Sequence, residues 1–122
     1  MSTIAINPNN GTISIKVKAN SMQVVSFSMD IYAPDGSTIL DHYTGNSQTA
    51  NPFVIALPNN PSGYIGDYVA GTIKIFDPQG GGNNYDIEIA IVQDNTDLQP
   101  IITLTGTTTT GIVSHQTIFH LQ

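Results

Sequence analysis

Residues 71–93, GTIKIFDPQGGGNNYDIEIAIVQ, decide how the chain is read. Ile73 and Ile75 alternate with polar residues before a loop, and Ile87, Ile89 and Ile91 alternate after it. Apolar residues at every second position line one face of an extended chain, and β-branched side chains suit a pleated, half-buried surface. The segment therefore predicts a β-hairpin. Its tip places Asp77, Asn83, Asn84 and Asp86 around Gly80, Gly81 and Gly82.

The same period recurs on both sides. In 12–18, Ile13, Ile15 and Val17 share a face; in 23–32, Val25, Phe27, Met29 and Ile31 do. Ala33, Pro34, Asp35 and Gly36 supply turn chemistry, proline with its fixed φ and Asp-Gly after it. Further strands are expected at 38–43, 52–57 and 100–105, with a polar loop at 44–51 and a breaker-rich one at 58–66, where Tyr64 and the nearby Tyr68 pack over a strand end. The last run, 112–121, carries Ile112 and Ile118 on one face and Val113, Phe119 and Leu121 on the other, as a strand covered on both sides would. No segment reads as a capped amphipathic helix. Short strands separated by regular turn signals predict an all-β fold, a single-domain antiparallel β-sandwich over residues 1–122 of jelly-roll or Greek-key type. A faint repeat accompanies them: Gly11-Thr12-Ile13 recurs as Gly71-Thr72-Ile73 sixty positions later, either a duplication or the ordinary likeness of strands.

Composition narrows the function. The 122 residues include no cysteine, so a disulfide framework and thiolate chemistry are excluded. Net charge is -6 with only 10% charged residues, and Lys16, Lys18 and Lys74 are the permanent cations, arginine being absent. Without a basic patch, nucleic acid is not an expected partner. No run approaches the roughly 20 apolar residues that span a bilayer, so a soluble chain without membrane insertion is expected. The opening MSTIAINPNN is not a secretory signal, which leaves the cytoplasm and export by a non-classical route both open.

Catalytic constellations are thin. Ser114 adjoins His115, and neighbours on a strand point to opposite faces; His115 and His120, five apart, do the same. His42 stands apart, and Glu88 alternates with Ile87 and Ile89 on a solvent face. No enzyme is expected. The oxygen-rich tip differs in kind. Calcium takes six to eight oxygen ligands, which Asp77, Asn83 and Asn84 with glycine-freed carbonyls can supply; equally, Asp, Asn and Gly are the residues that turns favour.

Asn7-Pro8 before Ile13 and Ile15, then Tyr32-Ala33-Pro34, Pro58-Asn59-Asn60, and GTIKIFD with a glycine-rich stretch ending in Asn83-Asn84, stand in the order of landmarks in the small calcium-dependent galactose-binding bacterial lectins of the PA-IL type. The chain resembles that family over about a third of its length. The resemblance implies a jelly-roll-like sandwich whose Ca²⁺ is held by Tyr32, Asp77, Asn83 and Asn84, with sugar hydroxyls completing the shell. Beyond Asp94 two further strands depart from the pattern. The expected function is a non-catalytic, lectin-like carbohydrate-binding module, with Tyr32, Asp77, Asn83, Asn84 and Asp86 as ligand-binding residues, Asp77, Asn83 and Asn84 as metal ligands and Ca²⁺ as cofactor. The alternative is a self-assembling appendage, coat or filament subunit. A homo-oligomer is expected in either case. The threonine-rich stretch 103–111, with Thr103, Thr105, Thr107 and Thr109 in one row, reads as a polar loop or an edge strand.

Overall fold

The computed structural model describes residues 1–80, 82–108 and 111–122. Its strands are β1 (Ser2–Ile4), β2 (Ile13–Ala19), β3 (Val24–Tyr32), β4 (Ile39–Asn46), β5 (Phe53–Ala56), β6 (Tyr68–Phe76), β7 (Asn84–Gln93), β8 (Thr96–Thr107) and β9 (Ile112–Leu121), with a 3-10 turn at Pro61–Tyr64. A five-stranded sheet runs β1-β9-β6-β3-β4, and a four-stranded sheet runs β5-β2-β7-β8. Among the described residues every pairing is antiparallel except that of β1 with β9. This is the expected all-β sandwich. Non-consecutive neighbours such as β2 with β7 and β3 with β6 give it crossed connections between the sheets.

The alternating residues face where their period puts them. Ile13, Ile15, Val25, Met29, Ile31, Ile73, Ile75, Ile87, Ile89 and Ile91 are all at most 1% exposed and share one core between the sheets. Phe27 meets Phe53 edge-on at 5.2 Å, across the space that Gly45 leaves open on β4. The faces are right; one partner is not. Residues 71–93 do not form a hairpin, because β6 belongs to the five-stranded sheet and β7 to the other, and the loop between them crosses the sandwich. Seven residues between two strands give room for such an arch, whereas a tight hairpin needs about two. The tight hairpin lies later, between β7 and β8, where Asp94 and Asn95 both take positive φ, 52° and 59°.

Three other expectations change. The last strand is covered on one face only: Ile112 and Ile118 are 58% and 42% exposed, while Phe119 and Leu121 are buried. β4 continues through Asn46 into the expected loop, and β8 begins at Thr96, before the expected 100–105 strand. β8 is an edge strand of its sheet and takes in the threonine row as far as Thr107; Thr109 and Gly81 lie outside the described residues.

One end of the sandwich carries an anomaly. Tyr64 is buried there, its hydroxyl accepting the Asn59 N–H at 2.9 Å. Close by in the chain, Asp67 is only 3% exposed, and no hydrogen bond to its carboxylate occurs among the described residues. Burial pushes its pKa above the ordinary 3.8. The penalty is absent below pH 3.8 and develops as pH rises through the elevated folded value. Asp67→Asn removes the charge and should raise stability near pH 7 by about 1 kcal/mol, the gap closing in acid. Urea unfolding of both proteins from pH 3 to pH 8 checks this; curves that run parallel throughout would refute it.

Candidate functional site

Asp77 follows β6 where the chain leaves the five-stranded sheet, and it is 1% exposed. Its Oδ1 accepts the Gln79 N–H at 2.9 Å, an Asx turn. Its Oδ2 accepts the Asn83 amide at 2.9 Å and the Thr108 hydroxyl at 2.7 Å. Thr108, after β8, also donates its N–H to the Asn83 carbonyl at 3.0 Å, and Asp77 donates its own to the Gly111 carbonyl at 2.8 Å. The carboxylate thus ties the β6–β7 arch to the β8–β9 arch. The Asn83 amide, the Thr108 hydroxyl and the Gln79 N–H together hold its pKa below 3.8.

The five residues singled out by the sequence do not gather at one point. Asp77 and Asn83 meet, but Asn83 presents its NH₂ to the carboxylate, so the pair is closed on itself. Asn84 is exposed, its side-chain oxygen accepting the Thr107 hydroxyl at 2.9 Å. Asp86 is exposed on β7, and its N–H donates to the Ser21 hydroxyl at 3.0 Å. Tyr32 ends β3, whose first residue, Val24, pairs with Phe76 next to Asp77. Eight residues of strand put Tyr32 about 26 Å from that end. A calcium ion on Asp77 would have to displace three donors and could not reach Tyr32. As placed, Tyr32, Asp77, Asn83 and Asn84 do not fit a common ion.

Tyr32 belongs instead to the outer face of the five-stranded sheet. The register aligns it with Tyr68 on β6, which in turn pairs with His120 on β9. The Tyr68 and His120 rings stack at 4.3 Å, 8° from parallel. One row along, Asp30, Ala70 and Ile118 lie side by side, and beyond them Ser28, Thr72 and Gln116. Small side chains in the middle of three strands leave a trough between taller neighbours. It comprises a polar hollow of about 220 Å³ lined by Ser28, Asp30, Thr72 and Gln116, and beside it an apolar one of about 350 Å³ lined by Met1, Tyr32, Tyr68 and Ile118. Asp30 is fixed by a close contact with the His42 ring on β4.

Sequence reasoning missed Tyr68, His120, Asp30 and Gln116. Their signal is the outward phase of each strand, which becomes informative only once the neighbours are known. Tyr68 turns to the outer face, unlike Tyr64, which packs inside. His115 and His120 do take opposite faces. His115 points inward, its Nε2 2.9 Å from the Tyr85 hydroxyl of the opposite sheet.

No family model matches the chain, and no curated protein matches it. Among solved structures it is similar to a DUF4425 family protein from Bacteroides ovatus ATCC 8483, with 15% identity, a TM-score of 0.54 and coverage of 90% of this chain and 94% of that one. At that identity the likeness is one of fold alone.

Proposed function

We propose that the protein is a non-catalytic carbohydrate-binding module, and that its ligand lies in the trough on the outer face of the five-stranded sheet. The observation that carries this reading is the parallel Tyr68–His120 ring stack set beside Tyr32 and next to a floor of small side chains. An aromatic surface suits the C–H face of a pyranose, and the adjacent Asp30 carboxylate and Gln116 amide offer acceptors and donors for its hydroxyls. The chain has few cations and no arginine, which favours a neutral ligand over an anionic one. Of the residues first singled out, Tyr32 stays in the site, while Asp77 and Asn83 brace the arches at the far end. The reading requires no cation, and an EDTA arm tests that directly.

On an array of neutral oligosaccharides the protein should bind with and without EDTA. Tyr68→Ala should weaken binding at least about 10-fold, as loss of a central aromatic contact does, with little change in thermal midpoint. Binding lost in EDTA and restored by Ca²⁺ would return the site to a metal. A second reading, self-assembly, is favoured by the row Val24, Phe76 and Ile112 at the other end of the same face, where Phe76 is 46% and Ile112 58% exposed. A dark array together with size-exclusion profiles that grow with concentration would put that reading first.

A further inference from the structure

The outer face of the four-stranded sheet also carries a trough, of about 450 Å³, lined by Thr12, Ser14, Lys16, Val54, Val92 and Asp97. It occupies the place in its sheet that the aromatic trough occupies in the other. Leaving β1 aside, the orders β9-β6-β3-β4 and β5-β2-β7-β8 interchange when each strand is replaced by the one four places away in the chain. β2 then stands for β6, β7 for β3 and β5 for β9. The repeat is one of topology, since the sixty-residue echo would carry the pair Ile15 and Ile91 onto Ile75 and Ile31, whereas Ile75 pairs with Val25 and Ile31 with Val69. Aligned instead by their midpoints, Lys16 of β2 and Thr72 of β6, the strands superpose Thr12 on Tyr68 and Ser14 on Ala70. Val92 likewise falls on Asp30 when β7 and β3 are centred over their ladders.

What differs is the lining. Hydroxyls and an ion pair replace the rings. Lys16 Nζ donates to Asp97 Oδ1 at 2.7 Å and to Oδ2 at 2.6 Å, the two side chains being 20% and 31% exposed. An ammonium has three donors and a carboxylate more than two acceptor sites, so the pair keeps a free donor beside free lone pairs. A sugar hydroxyl can accept from the first while donating to the second. Val54 and Val92 supply apolar walls for C–H groups. An anion would face Asp94 and Asp97, and a cation would have to displace Lys16 from its partner. The chemistry selects a neutral, hydroxyl-rich ligand.

We infer that this trough is a second saccharide site, so that one chain holds the same class of neutral glycan on both faces of the sandwich. The inference rests on the carbohydrate-binding reading above, and stoichiometry separates the two. Isothermal titration calorimetry with linear neutral hexasaccharides of the cello, xylo, manno and malto series should give two sites per chain. Lys16→Met, which keeps the apolar stem, should leave one; Tyr68→Ala should leave the other; the double variant should bind none, with circular dichroism melts confirming that each is folded. A single wild-type site that survives Lys16→Met and disappears in Tyr68→Ala overturns this inference alone. A single site lost in Lys16→Met and indifferent to Tyr68→Ala overturns the placement in the aromatic trough and, with it, the claim of two occupied faces. No binding to any of the four, or two sites untouched by either variant, overturns both.

Discussion

Gly71→Ala should cost at least about 3 kcal/mol, enough to leave little folded protein in a domain of ordinary stability. A methyl group at this position would stand 2.1 Å from the Ser28 carbonyl oxygen and 2.9 Å from Met29 Cα. It would also meet Met29 Sδ at 2.7 Å, but that side chain can turn aside. The backbone cannot move without opening the β3–β6 ladder, which lies in the interior of the five-stranded sheet. Glycine within a strand marks such close approaches. Gly63→Ala is the control: its nearest contact would be Asn59 Cβ at 3.8 Å, an ordinary distance, and its effect should stay within about 0.5 kcal/mol. Chemical denaturation of the pair measures both. A Gly71→Ala protein within about 1 kcal/mol of wild type would mean that the strands approach less closely than described.

Asp77→Ala should be the most damaging polar substitution, lowering the thermal midpoint by about 10 °C, because it strands the Asn83 amide, takes from the Thr108 hydroxyl its shorter bond and leaves it the Asn83 carbonyl at 3.2 Å, and removes the side-chain tie between the two arches. The pH dependence carries the diagnostic sign. A carboxyl held below its ordinary 3.8 contributes stability that is fully present above that value and is lost as pH falls through the depressed folded one. Wild type should therefore weaken below pH 3.8 by an increment that Asp77→Ala lacks. Thermal melts from pH 2 to pH 7 resolve it. An unchanged acid limb in the variant would show that the Asp77 hydrogen bonds do not distinguish the folded from the unfolded chain.

The faces of the strands were legible in the sequence and their partners were not. A period of two reports which side chains turn inward, so Val25, Met29, Ile73 and Ile89 could be assigned to the core at sight. It is silent on which strand lies alongside, and an arch of Asp, Gly and Asn uses the same residues as a hairpin. Residues 71–93 looked like a hairpin for that reason. The true tight turn, Asp94-Asn95, contains no glycine, and β1 is three residues long, too short to show a period. The candidate site suffered more. Asp77 stands in the sequence as one of several oxygen donors around the glycines, and its role as a brace of the arches depends on Thr108 some thirty residues away. Tyr68, His120 and Tyr32 are unremarkable until β3, β6 and β9 are laid side by side.

The crossed strand order also bears on how the chain reaches its structure. β2 closes its ladder with β7, whose residues follow some seventy positions later, and among the described residues only β3–β4 and β7–β8 join consecutive strands of one sheet. Loops that long must be closed before their contacts stabilise anything. The topology places this protein among the slow, milliseconds-to-seconds folders. During synthesis, β2 would emerge well before β7 and would need protection from pairing with a neighbouring chain.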